Sequence, residues 1–428
     1  MHGNGLISPR APQVVFANRE AMQALSWCNS KALQDSSWDD VCQNLSAGVR
    51  SALEKVLASL DGRALTCEEC NLLAHVTGDD LFGLALAANE IRRQLVGDVV
   101  SYVITRNINF TNVCFVGCKF CAFSVGPRDQ TAYFLTLDEV GEKAREAASW
   151  GATEVCIQGG LPRNLPPFYY RDILRAVKSA VPTMHAHAFS PMEIVYGVEL
   201  TGMTVRDYLL MLKDNGLDTL PGTAAEILDD SVRMVLSRNK LTTAQWCEVI
   251  ETAHQCGIRS TSTMMYGHRE TPEQWVNHLL LLRDIQERTG GFTEFVPLGF
   301  IHDHTLLFQQ GLSRPGGQVE EHIKVHALAR VLLAGTINHI QVSWVKLGRE
   351  LSQLALLAGA DDYGGTLFEE NISRLAGATA GQYVSPEEFQ ERIRELGRTP
   401  AQRNTTYTRY FDHGPLPTEQ SALARGAA

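Results

Sequence analysis

Residues 101–123 read SYVITRNINFTNVCFVGCKFCAF, and this stretch sets the interpretation of the whole chain. Its first five residues, Ser101 to Thr105, are rich in the β-branched and aromatic types that predict a buried strand. Cys114, Cys118 and Cys121 follow within eight residues, on what should be the loop after that strand. A strand that opens into a loop rich in thiols indicates chemistry at the carboxyl end of a sheet.

Downstream of this stretch, short apolar runs alternate with amphipathic stretches as far as about Leu375. The apolar runs predict strands at 154–157, 184–189, 217–220, 258–265, 292–298 and 338–343, and the amphipathic stretches predict helices at 137–150, 169–180, 205–215, 242–256, 272–288 and 322–334. Because parallel strands need crossover helices, this order favours an α/β fold, a TIM-like (β/α) barrel. A doubly wound sheet is the alternative, but no G-x-G-x-x-G follows the first strand.

Four regions are predicted along the chain. Residues 1–45 show weak periodicity and are expected to form a leader that is partly disordered, and residues 46–99 show the helical spacing of a small N-terminal cap. Residues 100–340 form the core barrel, and residues 341–428 supply the closing barrel units and a C-terminal helical extension. Thr66 and Glu69 have the spacing of a capping box, which predicts a helix start.

The composition argues against several functional classes. The chain has 48 acidic and 38 basic residues, a formal net charge of −10, which argues against a nucleic-acid partner. No apolar run approaches the roughly 20 residues of a membrane helix, so no membrane partner is expected. The first residues, Met1 to Asn4, lack the basic and apolar regions of a secretory signal, and the expected location is the cytoplasm.

The ten cysteines fall into three groups. Cys114, Cys118 and Cys121 form C-x3-C-x2-C, which places three thiolates on one loop, where they can bind one iron–sulfur cluster. A closed zinc site would need a fourth ligand, and so would an electron-transfer cluster. Cys67 and Cys70 form an isolated C-x2-C at a predicted helix start, which we interpret as structural. The remaining cysteines read as small buried apolar residues: Cys28, Cys42, Cys156, Cys247 and Cys256.

Other candidate residues lie where predicted strands end, because that edge carries the chemistry of a barrel. Gln158, Gly159 and Gly160 follow the second strand, and they form either a close ligand approach or an ordinary turn. His187 shares a strand face with His185, which we interpret as a core residue, and Glu193 follows that strand. Glu226 is either a ligand contact or a first-turn helix acid. The remaining candidates at strand ends are Tyr266 and His268.

The cysteine motif resembles the signature of the radical S-adenosyl-L-methionine (radical SAM) superfamily. Further stretches resemble one family within it, the tyrosine-dependent 4-hydroxyphenyl transferases of deazaflavin (FO) biosynthesis. They include RNINFTN at 106–112, ATEVCIQGG at 152–160, HAFSPMEI at 187–194, PGTAAEIL at 221–228, TMMYGH at 263–268, EFVPL at 294–298 and SWVKLG at 343–348. The matching stretches run from about Asp98 to Arg374, roughly two thirds of the chain.

The resemblance implies two cofactors and the residues that hold them. A 4Fe-4S cluster would be bound by Cys114, Cys118 and Cys121, which leaves one iron open for S-adenosyl-L-methionine. The residues implied to contact S-adenosyl-L-methionine are Phe120, Gln158, Gly159, Gly160, Ser190 and Glu226. Catalytic residues stay unassigned, with His187, Glu193, Tyr266 and His268 as the candidates.

The resemblance also implies a reaction. A 5′-deoxyadenosyl radical would take hydrogen from L-tyrosine, whose Cα–Cβ bond then breaks, and the 4-hydroxybenzyl fragment would join carbon 5 of 5-amino-6-(D-ribitylamino)uracil. A reductant such as ferredoxin or flavodoxin would supply the electron. The chain has one C-x3-C-x2-C motif, so it is expected to perform one half of FO synthesis, and a partner radical SAM enzyme would close the ring.

Two alternatives stay open from the sequence. The first is a radical SAM enzyme of the futalosine route to menaquinone, either aminofutalosine synthase or the futalosine cyclase. Those enzymes tend to carry a glycine-rich run where this chain has Pro221 to Ala225, which favours the deazaflavin family. The second alternative is a passive iron–sulfur electron carrier, which the missing fourth cysteine disfavours.

Overall fold

The structure is a computed structural model, and it describes residues 29–411. Residues 1–28 lie outside the described range, and with them most of the predicted leader, Cys28 and the N-terminal residues on which the location was predicted. Residues 412–428, the end of the predicted C-terminal extension, also lie outside it. The described part of the leader forms two short helices, α1 (Ser30–Asp35) and α2 (Trp38–Val41).

Three helices follow where the sequence predicts a helical cap: α3 (Ala47–Ser59), α4 (Cys67–Ala74) and α5 (Gly78–Val96). The capping box predicted at the start of α4 is present. Thr66 Oγ1 accepts a hydrogen bond from the Glu69 N–H, and the Glu69 carboxylate accepts one from the Thr66 N–H. Both bonds satisfy donors that the first helical turn would otherwise leave free. Within residues 29–411, no helix is both long and apolar enough to cross a membrane.

Strands and helices then alternate. The strands are β1 (Val99–Val103), β2 (Thr105–Ile108), β3 (Glu154–Ile157), β4 (His185–Ala188), β5 (Thr219–Leu220), β6 (Arg259–Tyr266), β7 (Phe292–Gly299), β8 (Asp362–Gly365) and β9 (Thr399–Gln402). The helices are α6 (Leu137–Ser149), α7 (Tyr169–Ala180), α8 (Pro191–Thr201), α9 (Val205–Asp214), α10 (Asp230–Leu236), α11 (Thr243–Gln255), α12 (Pro272–Thr289), α13 (Leu306–Gln309), α14 (Val319–Leu332), α15 (Trp344–Leu357), α16 (Ile372–Ala376) and α17 (Pro386–Glu395).

Strands β2 to β7 form one parallel sheet in sequence order. Isolated parallel bridges continue the hydrogen bonding around the rest of the circle, from Phe295 to Ile340, from Gln341 to Asp362, and from Phe368 back to Arg106. Strand β1 leads into β2 and pairs with β8. The chain therefore forms the predicted TIM-like barrel, with its central sheet of six strands closed by shorter segments.

Alternate residues of each strand face the inside of the barrel, because side chains of a strand point to opposite faces in turn. On β3, Glu154 and Cys156 line an interior cavity, while Val155 and Ile157 are fully buried on the other face. Branched apolar layers usually fill the interior of a TIM barrel. In this barrel many of the inward residues are polar, and they leave open space instead of a packed core.

The structure departs from the sequence prediction at several elements. Helix α8 was not predicted, because several of its residues are buried and it has no amphipathic pattern. The predicted strand at 338–343 is reduced to single bridges at Ile340 and Gln341. Strand β9 and helix α17 also went unpredicted, and β9 includes Pro400, which cannot donate to a ladder.

The C-terminal segment after β9 lies against one end of the barrel. Strand β9 pairs with β1, and this pairing brings Arg403 into the interior. The Arg403 guanidinium donates to both carboxylate oxygens of Asp362, at 2.6 and 3.1 Å, and to Glu294 at 3.2 Å. The hydroxyl of Tyr407 also donates to Glu294. One buried cation thus compensates two buried carboxylates at this end of the barrel.

We expect Arg403→Met to destabilise the protein by about 3–5 kcal/mol, because the change leaves two buried carboxylates without their cation. Equilibrium unfolding in urea measures the effect. The matched control is Arg409→Met, since Arg409 is exposed in the same segment. A loss below about 1 kcal/mol would contradict the proposed dependence of Asp362 and Glu294 on Arg403.

Candidate active site

The three cysteines of the motif lie on the long loop between β2 and α6. Backbone hydrogen bonds fix this loop at three places. The Cys114 N–H donates to Val125 O at 3.2 Å, the Phe115 N–H to Leu161 O at 3.0 Å, and the Lys119 N–H to Leu236 O at 2.9 Å. The first bond closes the loop on itself and the other two join it to separate parts of the barrel mouth, so the thiols are held in one place relative to the sheet.

All three cysteines line a cavity of about 270 Å³ at the carboxyl end of the barrel, which we call the upper chamber. The structure also brings most of the other predicted site residues to its wall: Phe120, Gln158, Gly159, Gly160, Ser190, Glu193 and Glu226. Lys240 lies between two of them, 2.6 Å from Glu226 and 5.2 Å from the centre of the Phe120 ring. The residues gathered from distant positions in the sequence thus share one space.

The donor set of the upper chamber fits an iron–sulfur cluster. Among residues 29–411, no three histidine, cysteine or acidic residues are close enough to ligate a single metal ion. A four-iron cluster presents a separate iron to each thiolate, so it does not require the three sulfurs around one point. Burial raises the pKa of the Cys118 thiol to about 11, and Cys118 Sγ lies 3.0 Å from Ser237 Oγ. Iron binding would favour the thiolate form.

Gly159 and Gly160 bring backbone against the cysteine loop. A Cβ atom at Gly160 would lie 2.2 Å from Val113 O and 3.1 Å from Cys114 Cβ, so no larger residue fits there without moving the loop. A Cβ atom at Gly159 would meet the Phe110 ring at 2.5 Å. Packing within the protein therefore requires both glycines, which an ordinary open turn would not, and the close approach of a ligand stays a prediction.

Ser190 and Glu193 form a capping box at the start of α8. The N–H and the hydroxyl of Ser190 each donate to Glu193 Oε2 at 2.7 Å, and the Gly159 N–H donates to Oε1 at 3.1 Å. Burial nevertheless raises the pKa of the Glu193 carboxyl to about 7. Glu193 therefore joins the start of α8 to the glycine turn, a positioning role that the sequence prediction did not include.

Glu226 lies in an irregular turn and not at a helix start. Helix α10 begins at Asp230, capped by Asp229, so the interpretation of Glu226 as a first-turn helix acid is wrong. Both Ala224 and Glu226 have positive φ angles, 62° and 43°. Arg233 stabilises this turn by donating to the carbonyl oxygens of Ala224 and Ala225. The turn directs the Glu226 carboxylate towards Lys240.

The four catalytic candidates occupy different places. Glu193 lines the upper chamber, and His187 lines the barrel interior below it, with Nδ1 2.8 Å from Thr219 Oγ1. Tyr266 and His268 line neither space. The Tyr266 hydroxyl lies 2.7 Å from His322 Nδ1, and His268 lies 2.9 Å from the Glu270 carboxylate. The structure does not bring these two side chains to the cysteines, because Met265 is the inward residue at the end of β6.

A second cavity of about 250 Å³ occupies the barrel interior, which we call the lower chamber. The two chambers are adjacent and share part of their walls, and the shared residues are Gln158, Thr223, Thr263, Leu298, Lys346, Ile372 and Ser373. Lys346 is the cation at this junction, and its Nζ donates to Ser373 Oγ at 2.8 Å. Burial lowers the pKa of Lys346.

Several lining residues were not singled out from the sequence: Glu154, Lys240, Glu294, Lys346 and Arg403. A charged residue inside a predicted buried strand indicates a functional position, because charged side chains are rarely buried without a partner. Glu154 and Glu294 are both such residues. Lys346 follows a predicted strand end, which is also a usable position. Lys240 and Arg403 carry no such signal, because long-range packing alone brings them to the chambers.

Comparison with known families matches most of the chain. Residues 108–282 match the family described as Radical SAM superfamily, and residues 289–414 match the CofH/MqnC C-terminal region. The first match covers the cysteine loop and strands β3 to β6, and the second covers β7 to β9.

The chain is also similar to solved structures, at 16–17% identity. They are the maturase HydG from Carboxydothermus hydrogenoformans, with a TM-score of 0.67 over 91% of this chain and 86% of that chain, and methylornithine synthase (PylB), with 0.64 over 82% and 97%. At these identities the likeness shows the barrel fold alone.

Curated relatives are much closer in sequence. The FO synthase of Mycobacterium leprae is 50% identical over 381 residues, which is 89% of this chain and 44% of the relative. The chain thus spans less than half the length of the FO synthases it matches. The 5-amino-6-(D-ribitylamino)uracil–L-tyrosine 4-hydroxyphenyl transferase of Methanothermobacter thermautotrophicus is 48% identical over 364 residues, 85% of this chain and 99% of the relative. Near-complete coverage at this identity shows that the chain belongs to the radical SAM superfamily and, within it, to the family of these 4-hydroxyphenyl transferases.

Proposed function

We propose that this protein is a radical SAM transferase that moves the 4-hydroxybenzyl group of L-tyrosine to carbon 5 of 5-amino-6-(D-ribitylamino)uracil. The observation that carries the proposal is the adjacent pair of chambers. Three thiols and the glycine turn line the upper chamber, and the lower chamber lies next to it in the barrel interior with many polar residues on its wall. The relative that this chain matches over 99% of its length is named for this transfer.

In this proposal Cys114, Cys118 and Cys121 hold a 4Fe-4S cluster, and S-adenosyl-L-methionine binds beside it. The bound pair would supply the one-electron cleavage that yields the hydrogen-abstracting radical. The glycine turn offers the carbonyl oxygens of Gly159 and Gly160, because both N–H groups are already engaged, by Glu193 and by the carbonyl oxygen of Thr111. Phe120, Gln158, Ser190 and the Glu226–Lys240 pair complete the wall on which the cofactor would lie.

The chain's own residues then have two tasks. The first is to limit the access of water, since a carbon radical must meet only its intended partner, and both chambers lie within the barrel wall. The second is to hold the substrate charges. Lys346 lies at the junction, where it donates to Ser373 Oγ and is attracted by Glu370, and its remaining N–H donors are available to a substrate carboxylate. His187 is a neutral imidazole, because burial lowers its pKa to about 3.

We also propose that the protein performs one half of FO synthesis. The relative that it covers over 99% of its length is named for the 4-hydroxyphenyl transfer. A separate radical SAM enzyme would close the deazaflavin ring, and a reductant such as ferredoxin or flavodoxin would deliver the electron. The direct test is an anaerobic assay of the reconstituted protein with dithionite, S-adenosyl-L-methionine, L-tyrosine and ribitylaminouracil, followed by mass spectrometry.

We expect 5′-deoxyadenosine and the hydroxybenzyl adduct to appear together and to require both substrates. Omission of each substrate in turn is the control. Slow deoxyadenosine release without adduct would contradict the substrate assignment and would direct the assay to futalosine-pathway substrates. Reversible reduction with no cleavage of S-adenosyl-L-methionine would contradict the transferase and favour an electron carrier.

A further inference from the structure

The lower chamber is lined by hydrogen-bonding groups that the protein leaves unused. Glu154 lies on its wall, 6% exposed, and makes no side-chain hydrogen bond or ion pair within residues 29–411. The hydroxyl of Thr105 and the Oδ1 atom of Asn109 are buried and have no partner in the described range. Buried polar atoms normally find partners, so this concentration points to a ligand with many hydrogen-bonding groups.

These groups lie along β2 and β3 and just beyond β2. Strand pairing places Glu154 beside Thr105 on β2, and places Asn107 beside Cys156 on β3. Asn107 and Thr405 also line the chamber. The unused set therefore combines two groups that only accept, the Glu154 carboxylate and Asn109 Oδ1, with the Asn107 amide and threonine hydroxyls, which also donate. A chain of hydroxyl groups satisfies such a mixed set, because each hydroxyl both donates and accepts.

The charge of the lower chamber distinguishes between the two proposed substrates. Glu154, Glu294 and Glu370 all line it, and its one interior arginine, Arg403, is already engaged by Asp362 and Glu294. The carboxylate of an amino acid would meet unfavourable charge there, whereas an uncharged polyol would not. The other cation on the wall of this chamber, Lys346, is attracted by Glu370 and lies at the junction with the upper chamber.

We propose that the lower chamber binds the ribityl chain of the uracil substrate, with the Glu154 carboxylate accepting hydrogen bonds from the ribityl hydroxyls. The tyrosine then occupies the junction and the upper chamber, with its carboxylate towards Lys346. This assignment rests on the proposed transferase function. It places the two substrates in line along the barrel axis, with tyrosine nearer to the cysteines.

The test is equilibrium binding by calorimetry to the reconstituted protein, without turnover. Glu154→Met should raise the Kd of ribitylaminouracil about tenfold to hundredfold, since a hydrogen bond to a charged acceptor is lost. The Kd of tyrosine should not change. The matched control is Glu142→Met, because Glu142 is exposed on α6. If the methionine variant fails to fold, Glu154→Gln keeps the shape and should show the same direction with a smaller change.

A ligand analogue separates a specific contact from general damage. 5-Amino-6-(pentylamino)uracil keeps the ring and lacks the hydroxyls, so Glu154→Met should not weaken its binding further. An equal loss with this analogue, a loss confined to tyrosine, or no loss at all would each overturn the placement. Failure of the unmodified protein to bind ribitylaminouracil would contradict the transferase function itself, whereas normal binding with an unaffected variant would contradict only the placement.

Discussion

Replacing Cys114, Cys118 or Cys121 by alanine should abolish the cluster and with it all cleavage of S-adenosyl-L-methionine. Each cysteine is the proposed ligand of a different iron, and among residues 29–411 no other histidine, cysteine or acidic group assembles with them into a metal site. A cluster held by two thiolates has no replacement ligand on this loop. Iron and sulfide content, the visible absorbance of the reconstituted protein and deoxyadenosine release measure the outcome.

The chain offers a matched control for this series. Cys67→Ser removes an exposed thiol that belongs to the other C-x2-C pair and lies outside both chambers. It should keep the full iron content and the full rate of deoxyadenosine release. A brown protein with normal iron content in any of the three alanine variants would contradict the ligand assignment for that residue.

The sequence predicted the elements whose pattern is local. Strand β3 was predicted because Val155 and Ile157 are apolar and flanked by turn residues, and the cysteine loop followed from its spacing alone. Helix α8 was not predicted, because burial on several sides removes the amphipathic pattern on which helix predictions depend. The contacts of Arg403 with Asp362 and Glu294 were not predicted for a different reason. Both partners lie more than 40 residues away along the chain.

The candidate site shows a further limit, which concerns which face of a strand is inward. Tyr266 and His268 were predicted at the mouth because they end a strand, and that strand does reach Tyr266. Alternation along β6 puts Thr261, Thr263 and Met265 on the inner wall and turns Tyr266 away. A shift of one residue in the predicted alternation therefore decides whether a side chain faces the chambers. The predicted end of a strand is usually uncertain by more than one residue.

The glycine turn gives the second large effect that we expect, and it acts through the backbone. In Gly160→Ala the new Cβ atom would lie 2.2 Å from Val113 O and 2.7 Å from Val113 C. Both are backbone atoms next to Cys114. The Gly160 N–H already donates to Thr111 O at 2.8 Å, so neither of the two backbone segments can move away without the other. The cysteine loop has to move, and the Cys114 thiol moves with it.

Gly160→Ala should therefore lose most of its iron and nearly all deoxyadenosine release, while overpacking lowers the free energy of unfolding by only about 1–3 kcal/mol. Iron content after reconstitution, deoxyadenosine yield and urea unfolding measure the three quantities. The matched control is Gly126→Ala, in the same loop, where an added Cβ atom meets nothing within 4 Å. If Gly160→Ala kept normal iron content and release, the contact between the glycine turn and the cysteine loop would not position the cluster. Loss of release with normal iron would instead place the effect on the binding of S-adenosyl-L-methionine, because the turn lines the chamber beside the thiols.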